Sequence, residues 1–332
     1  MNKIYIIAEI GVNHDGDFNR ALELVSDAKK AGADAVKFQS FSAEKLVDIH
    51  TEKADYQKRN DKHPTQYEML KGLELKNNEF LAIKKYCDEI GIDFLSSPFD
   101  RESVSFLDSL DVKYIKIGSG ELTNTLLLKS VNKTKRCVLL STGMSTMSEI
   151  EIALEYLSDC KVVILHCTSA YPTPYEEVNL NVIETLVNTF NRPMGFSDHT
   201  IDYFASLGAV AKGVKYIEKH FTYDNDAEGP DHQASLNPVK FAEFVEKIRL
   251  MELLLGTNIK NITDSEVNTK KVARKSLILT QFTKKGTIIT EDILEAKRPS
   301  SGISPIYLDK VIGRKIKNDL MENHILGWDD FE

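Results

Sequence analysis

Short apolar runs alternate with longer amphipathic segments along most of the chain. Eight of the runs have nearly continuous apolar cores, as is typical of strands in a parallel sheet covered by helices. They lie at residues 4–11, 34–41, 92–99, 113–120, 136–143, 161–168, 192–199 and 214–221. This pattern predicts eight β-strands.

The segments between these runs predict helices by their periodicity and their end signals. Apolar residues at helical spacing share one face of 19–32 and of 79–91, and each segment ends in a glycine. Thr146 and Glu149 have capping-box spacing, and Pro238 begins the segment after the eighth strand. Eight strand–helix units within about 250 residues predict a (β/α)₈ barrel. A doubly wound open sheet is the alternative, which the lack of a GxGxxG loop after any strand disfavours.

Two stretches interrupt this alternation and define the domains. Residues 42–78 are long and polar, and predict an extended loop with a short helix that folds as a flap over the barrel mouth. Residues 256–272 have no sustained apolar pattern and predict a linker. Residues 273–332 contain short strands and glycine turns, which predict a second domain too small to stand easily alone. The barrel domain is therefore expected at 1–255.

Composition narrows the class of protein. The chain has 332 residues and a formal net charge of -8, which argues against nucleic-acid or membrane-surface binding. No apolar run reaches the length of about 18 residues that a membrane span needs. The N-terminus predicts a first strand and not a signal peptide. The four cysteines lack CxxC spacing and are expected to be reduced, mostly buried thiols of a cytoplasmic protein.

Every predicted strand ends in polar residues. In a (β/α)₈ barrel the active site lies at these carboxyl ends. In chain order they are Glu9, Asn13, His14, Lys37, Gln39, Ser96, Ser97, Lys116, Ser119, Glu121, Ser141, Thr142, His166, Thr168, Ser197, Asp198, His199, Glu218 and His220. Eight converging polar ends favour a catalytic mouth over a merely solvated rim.

His199 and His220 end adjacent strands, so their imidazoles can meet. Two neutral imidazoles at one point suggest a divalent metal whose other ligands come from water or substrate. Only two protein ligands favour Mn²⁺ over a closed structural Zn²⁺ site. The alternative is a pair of hydrogen-bonded structural histidines.

Two lysines, Lys37 and Lys116, also point into the predicted mouth. Small hydroxyl donors lie on neighbouring strands at Ser119, Ser141 and Ser197. Together they predict a site for phosphate and carboxylate groups. In one alternative each lysine pairs with Glu9 or Glu121; in another, one lysine is the nucleophile of a Schiff-base aldolase.

After strand six, Tyr171 opens YPTPYEE and is either a fixed wall of the site or part of an ordinary proline-rich loop.

Several runs carry a resemblance that extends over nearly the whole chain. They are AEIGVNHDGD, ADAVKFQ, FLSSPFD, KIGSGE, LSTGM, HCTSAYPTPYEEVNL, GFSDHT, EKHFT and GPDHQAS, with KRPSSGIS and IGRKI in the tail. The chain resembles the sialic acid synthase family, the phosphoenolpyruvate-dependent nonulosonic acid synthases. Its tail resembles their antifreeze-like (SAF) domain.

The resemblance implies a (β/α)₈ barrel followed by a SAF domain, assembled as a domain-swapped homodimer. It implies condensation of phosphoenolpyruvate with an N-acetylated hexosamine aldehyde, with phosphate released by C–O cleavage. N-acetylmannosamine, giving N-acetylneuraminate, is the expected sugar. The alternative is 2,4-diacetamido-2,4,6-trideoxymannose, giving N,N'-diacetyllegionaminate; pseudaminate synthases share these motifs too. A non-catalytic sugar- or ice-binding protein built on the SAF domain is a third hypothesis, beside the aldolase.

The resemblance also implies a role for each candidate residue. Mn²⁺, or alternatively Mg²⁺ or Co²⁺, is expected on His199 and His220. Phosphoenolpyruvate is expected on Lys37, Lys116, Ser119, Ser141 and Ser197. The sugar is expected on Gln39 and Glu121, and on Arg298 of the partner's SAF domain. Glu9 and Asp231 are candidates for proton transfer or water orientation. Two departures matter: Ser169 stands where some members have Asn, and KRPSSG replaces KRPGNG.

Overall fold

A computed structural model describes residues 3–53, 58 and 61–332. Eight parallel strands close into a barrel in chain order, which confirms the predicted fold and excludes the open sheet. The strands are β1 (Tyr5–Gly11), β2 (Ala35–Ser40), β3 (Asp93–Pro98), β4 (Tyr114–Ile117), β5 (Cys137–Ser141), β6 (Val162–His166), β7 (Met194–Asp198) and β8 (Tyr216–His220). Pairing of β1 with β8 closes the cylinder, with Glu9 opposite His220.

Helices surround the barrel. They are α1 (Phe18–Lys30), α2 (Ala43–Leu46), α3 (Gln66–Leu73), α4 (Asn77–Ile90), α5 (Arg101–Ser109), α6 (Thr125–Thr134), α7 (Met147–Tyr156), α8 (Val182–Phe190), α9 (Phe204–Ala211) and α10 (Pro238–Leu255). Three predicted end signals are confirmed: Gly91 ends α4 in the left-handed conformation, Thr146 and Glu149 cap α7 reciprocally, and Pro238 opens α10. None of the helices in the described ranges combines the length and apolar character that crossing a bilayer requires.

Successive side chains of each strand point alternately into the barrel and outward to the helices. On β1 the inward positions are Tyr5, Ile7 and Glu9, so the interior changes from aromatic through aliphatic to charged along one strand. The lower interior is filled by Tyr5, Tyr114, Cys137 and Tyr216, and the middle by Ile7, Ala35, Leu95, Leu139, Val163 and Leu165. This packed column closes the lower barrel, so the barrel interior formed by the described strands has space for a ligand at their carboxyl ends.

The long insertion after β2 forms part of the barrel mouth. It contains α2 and α3, while residues 54–57 and 59–60 lie outside the described residues. Met69 and Leu73 of α3 are buried in a small apolar cluster with Val12 and Phe41, above the main barrel core. The predicted flap is thus confirmed for α3, which packs over the carboxyl ends of β1 and β2.

A second compact unit begins at Thr257. It contains α11 (Glu266–Ala273), the antiparallel strands β9 (Ser276–Leu279) and β10 (Leu294–Lys297), and α12 (Leu308–Val311). Its own apolar core comprises Leu277, Leu279, Ile289, Ile293, Ile303, Val311, Ile316, Leu320, Leu326 and Phe331. Residues 256–272, predicted as a linker, are all exposed, and α11 begins within them.

Candidate active site

A cavity of about 490 Å³ opens at the carboxyl ends of the barrel strands. Gln66, Met69, Leu70 and Leu73 of α3 form part of its wall. The lining contains most of the predicted site residues, namely Glu9, Lys37, Gln39, Lys116, Ser119, Ser141, Tyr171, Ser197, His199, His220 and Asp231. The fold therefore brings together side chains that lie more than 200 positions apart in the sequence.

Two predicted residues lie outside this lining. Glu121 ends a 3₁₀ turn after β4, where Asn124 Nδ2 donates to its Oε2 over 2.7 Å and burial raises the pKa of its carboxyl. Arg298 belongs to the second unit, where its exposed side chain donates from Nε to the carbonyl of Ala273 over 2.9 Å. Their predicted contacts with the sugar stay predictions.

Two buried ion pairs form the floor of the cavity. Lys37 Nζ lies 2.6 Å from Glu9 Oε2, and Lys116 Nζ donates to Glu218 Oε1 over 3.1 Å. A longer contact of 3.9 Å links Lys37 to Glu218. The alternative predicted that each lysine pairs with Glu9 or Glu121. It is right for Glu9, which pairs with Lys37, but wrong for Glu121, because Lys116 pairs with Glu218 instead.

Glu218 stands among the polar strand ends of the sequence analysis, but no role in the site was predicted for it. It is 3% exposed and accepts hydrogen bonds from both Lys116 and Ser197. The sequence signal for its role was the alternation of side chains along β8, in which Glu218 and His220 both face the barrel interior. Lys219 faces the helices instead and forms a buried ion pair with Asp198 over 3.3 Å.

The carboxylates of the site have opposite pKa shifts, depending on their neighbours. Burial opposes ionisation of Glu218, but Lys116 and Lys37 outweigh it and lower its pKa. Burial raises the pKa of Glu9 despite Lys37. Burial would lower the pKa of Lys37, but Glu218 and Glu9 raise it. Asp231 belongs to neither of the two lysine–glutamate pairs, and burial raises its pKa to about 6.

Hydroxyl groups gather around Gly143 on the β4–β6 side of the cavity. The backbone N–H of Gly143 donates to Ser119 Oγ over 3.0 Å. Within the described part of the chain, Ser141 Oγ and Ser169 Oγ are buried without a hydrogen-bond partner. A Cβ at position 143 would lie 2.3 Å from Ser169 Oγ, so only glycine leaves this space open. Buried hydroxyls without partners are costly, which indicates that a ligand completes their hydrogen bonds.

The imidazoles of His199 and His220 face each other across the β7–β8 edge, with ring centroids 5.5 Å apart. His199 Nδ1 donates to the carbonyl of Thr168 over 2.7 Å, so the lone pair of the neutral ring is on Nε2. Nε2 lies 3.3 Å from Ser197 Oγ. His220 Nδ1 is buried without a hydrogen-bond partner among the described residues, and Asp231 Oδ2 lies 3.8 Å from it. Burial lowers the pKa of His199 to about 4 and that of His220 well below its usual value, so both rings are neutral.

The pair has the donor chemistry that the predicted metal site requires, and the metal stays a prediction. Neutral imidazoles with available lone pairs are suitable ligands for a divalent cation. Within the described ranges there is no cluster of three or more His, Cys, Asp and Glu side chains able to hold a metal. Water or substrate oxygens would therefore supply the remaining ligands. Tyr171 packs beside the pair, with its ring centroid 4.3 Å from that of His199.

Comparisons with known proteins match both parts of the chain. Residues 24–260 match the NeuB family, and residues 274–332 match the SAF domain. The N,N'-diacetyllegionaminic acid synthase of Legionella pneumophila is 42% identical over 99% of this chain and 94% of its own length. The human N-acetylneuraminate-9-phosphate synthase is 33% identical over 96% of this chain and 93% of its own.

A solved structure shows the same similarity. The N-acetylneuraminic acid (sialic acid) synthetase of Leptospira borgpetersenii superposes with a TM-score of 0.74 at 32% identity. The match covers 81% of this chain and 90% of that one.

Proposed function

This chain belongs to the NeuB family, and from that premise we propose that it is a nonulosonic acid synthase condensing phosphoenolpyruvate with an N-acetylated amino sugar. The resemblance seen in its motifs is thereby confirmed. The observation that carries the proposal is one cavity in which Lys37, Lys116 and buried unpartnered hydroxyls lie beside two neutral imidazoles. An anion cradle next to a metal site is what a reaction between a phosphorylated enol and an aldehyde requires.

The lysine–serine floor suits phosphoenolpyruvate. The lysines supply positive charge, and Ser141 and Ser169 supply donors that lack partners within the described ranges. Because Ser169 faces Gly143 together with Ser119, it is suited to contact the phosphate. A Schiff-base aldolase fits less well, because it needs a neutral amine. The pKa of Lys37 is instead raised by its carboxylate neighbours, and Lys116 is ion-paired.

We propose that His199 and His220 hold a divalent cation, with Mn²⁺ the first candidate and Mg²⁺ or Co²⁺ the alternatives. The chemistry that such a cation supplies is Lewis-acid polarisation of the sugar's aldehyde oxygen. The protein's part is to present both imidazoles in the neutral form. Burial achieves this, and the Thr168 carbonyl fixes the tautomer of His199.

The reaction follows from the placement of these groups. C3 of phosphoenolpyruvate attacks the aldehyde carbon, and positive charge develops at C2 while Lys37 and Lys116 hold the anionic groups. Water then adds to C2, and the proton that it gives up neutralises the alkoxide formed from the aldehyde oxygen. The tetrahedral intermediate expels phosphate as the C2–O bond breaks, and the proton of the C2 hydroxyl leaves with the phosphate as the ketone forms. Asp231 lines the cavity 3.8 Å from His220, and with a pKa of about 6 it is ionised at neutral pH and can accept the water's proton.

Glu9 is less suited to that proton transfer. Its Oε1 accepts from Gln39 Nε2 over 3.1 Å, and its Oε2 contacts Lys37. Glu9 therefore orients two substrate-binding side chains. Gln39, held in this way, keeps its amide oxygen for the sugar, as the family resemblance implies.

Two sugars fit this reaction. N-acetylmannosamine is the sugar expected from the resemblance, and the relatives that make N-acetylneuraminates support it. The second candidate, 2,4-diacetamido-2,4,6-trideoxymannose, is favoured by the higher identity of the legionaminate synthase. It is also favoured by the apolar wall of Val12, Met69, Leu70 and Phe99, because this sugar carries two more methyl groups and fewer hydroxyls.

A competition assay tests both the function and the choice of sugar. Phosphate release would be measured with phosphoenolpyruvate, Mn²⁺ and each sugar, for the native enzyme, Leu70→Gln and the control Leu126→Gln. Leu126 is 65% exposed on α6. We expect native preference for the diacetamido sugar and a shift toward N-acetylmannosamine in Leu70→Gln alone. No phosphate release with either sugar would refute the function; native preference for N-acetylmannosamine would refute only the second candidate.

We also propose a homodimer in which each SAF domain completes the partner's active site through Arg298. Among the described residues that line the cavity none is an arginine, so the guanidinium that the resemblance implies for the sugar's acetamido carbonyl would come from another part of the assembly. Arg298 is exposed, and its forked donors suit that carbonyl better than a lysine would. We place the enzyme in the cytoplasm, where its four free thiols would stay reduced.

A further inference from the structure

A buried histidine joins two loops at the rim of the cavity. The first loop, residues 12–17, follows β1, and the last loop, residues 221–237, follows β8. His232 of the last loop is fully buried, with Nδ1 2.6 Å from Thr222 Oγ1 and Nε2 2.9 Å from Asp15 Oδ1. An ionised carboxylate only accepts, so Nε2 carries the proton and donates it to Asp15.

Asp15 is held in place from the outer side as well. Its Oδ2 accepts from Arg20 Nη1 over 2.5 Å and from the Tyr223 hydroxyl over 3.0 Å. Burial opposes ionisation of Asp15, but the hydrogen bonds from His232, Tyr223 and Arg20 outweigh it and lower its pKa. The first loop thus presents a fixed carboxylate to His232.

The chain on both sides of Asp231 is folded around the His232 ring. Gly229 has φ +155, and a Cβ there would lie 2.6 Å from His232 Cδ2. On the other side, Ser235 Oγ donates to the Asp231 carbonyl over 2.6 Å and accepts from Asn13 Nδ2 over 2.9 Å. A displacement of His232 would therefore move the backbone that carries Asp231.

We propose that Asp15 and His232 are positioning residues that hold Asp231 in its place in the cavity. The inference rests on the proposed function, in which Asp231 accepts the proton of the attacking water. Neither Asp15 nor His232 belongs to the described cavity lining, so both act through Asp231. The lysines and serines of the phosphoenolpyruvate cradle lie on other strands and loops than the two loops that this contact joins.

The test compares Asp15→Ala, Asp15→Asn and the control Asp17→Ala in the full-length enzyme. Asp17 lies on the same loop but caps α1 by accepting from Asn19 N, so its loss weakens the helix without breaking the His232 contact. In Asp15→Ala, we expect kcat to fall about 10- to 100-fold with the KM for phosphoenolpyruvate nearly unchanged, because only the proton acceptor is misplaced. Asp15→Asn keeps an oxygen for His232 and should recover most of kcat.

Amide hydrogen exchange of residues 229–235 provides a readout that does not depend on turnover. We expect faster exchange in Asp15→Ala than in the native enzyme or Asp17→Ala. Unchanged exchange, or equal loss of kcat in Asp15→Ala and Asp17→Ala, would overturn the positioning role. If the native enzyme releases no phosphate, the proposed function fails, while the exchange data still decide whether Asp15 fixes this loop.

Discussion

Lys116 on β4 and Glu218 on β8 form an ion pair across the barrel interior, with Nζ 3.1 Å from Oε1. Lys37 and Glu9 form a second pair on adjacent strands. The two lysines are held against the two glutamates in a site closed from below by packed apolar side chains. An anionic substrate must therefore compete with Glu9 and Glu218 for the lysines, which links binding of phosphoenolpyruvate to rearrangement of the floor.

Removing the charge of Glu218 should destabilise the barrel. In Glu218→Gln the buried Lys116 ammonium loses its ionised partner, and the free energy of unfolding should fall by roughly 3 kcal/mol. Urea denaturation measures this. Adding Lys116→Met removes the unpaired ammonium and should recover part of the loss. Strictly additive losses in the double variant would contradict direct coupling between the two residues.

Metal binding should depend on the imidazole pair. We expect His220→Ala to lose affinity for Mn²⁺, measured from the EPR signal of the free ion, while circular dichroism shows a folded barrel. His50→Ala, at an exposed histidine, is the control and should bind Mn²⁺ as the native protein does. Chelation should abolish activity and added Mn²⁺ should restore it. Full activity after chelation would show that the site needs no metal.

Phosphoenolpyruvate should be cleaved at its C–O bond. In the proposed reaction the lysine–serine cradle holds phosphate as a leaving group, and water attacks C2 rather than phosphorus. With ¹⁸O in the bridging position, mass spectrometry should find the label in released phosphate. Label retained in the sugar acid would mean that the P–O bond breaks instead.

Acid should destabilise the barrel partly through His14. Burial lowers the pKa of His14 to about 4, below the 6.5 of the unfolded chain, so only the unfolded state gains a proton between these values. Stability from this residue is therefore complete above pH 6.5 and lost as the pH falls toward 4, by at most roughly 3 kcal/mol. Urea denaturation across this range should give a shallower pH dependence for His14→Asn than for the native protein or His50→Ala. Parallel curves would exclude a contribution from His14.

Exchange of SAF domains should permit complementation between two inactive variants. Arg298→Ala and Lys116→Ala would be co-expressed with different tags, and the heterodimer isolated. If Arg298 acts on the partner's barrel, one site of the heterodimer carries both lesions and the other carries none, so activity should return to about half of the native value. An inactive heterodimer would show that Arg298 serves its own chain or neither.

The apolar pattern alone determined the barrel. All eight predicted strands form, because a strand buried on both faces must be apolar almost throughout, whatever its neighbours. The sequence also predicted that polar residues at the strand ends, such as Lys37 and His220, lie in one site, since the carboxyl ends of all strands in a parallel barrel meet at the same mouth. Local end signals such as Gly91 and the Thr146–Glu149 capping box needed no tertiary information.

Only the tertiary structure decided which side chains become partners. Lys116 pairs with Glu218 and not with Glu121, because the closed barrel brings β4 and β8 within reach across its interior while Glu121 lies in a 3₁₀ turn beyond β4. The contact of His232 with Asp15 joins residues 217 positions apart, which no periodicity can signal. Closure of β1 against β8 brings them together, because it places the first and last loops of the barrel side by side.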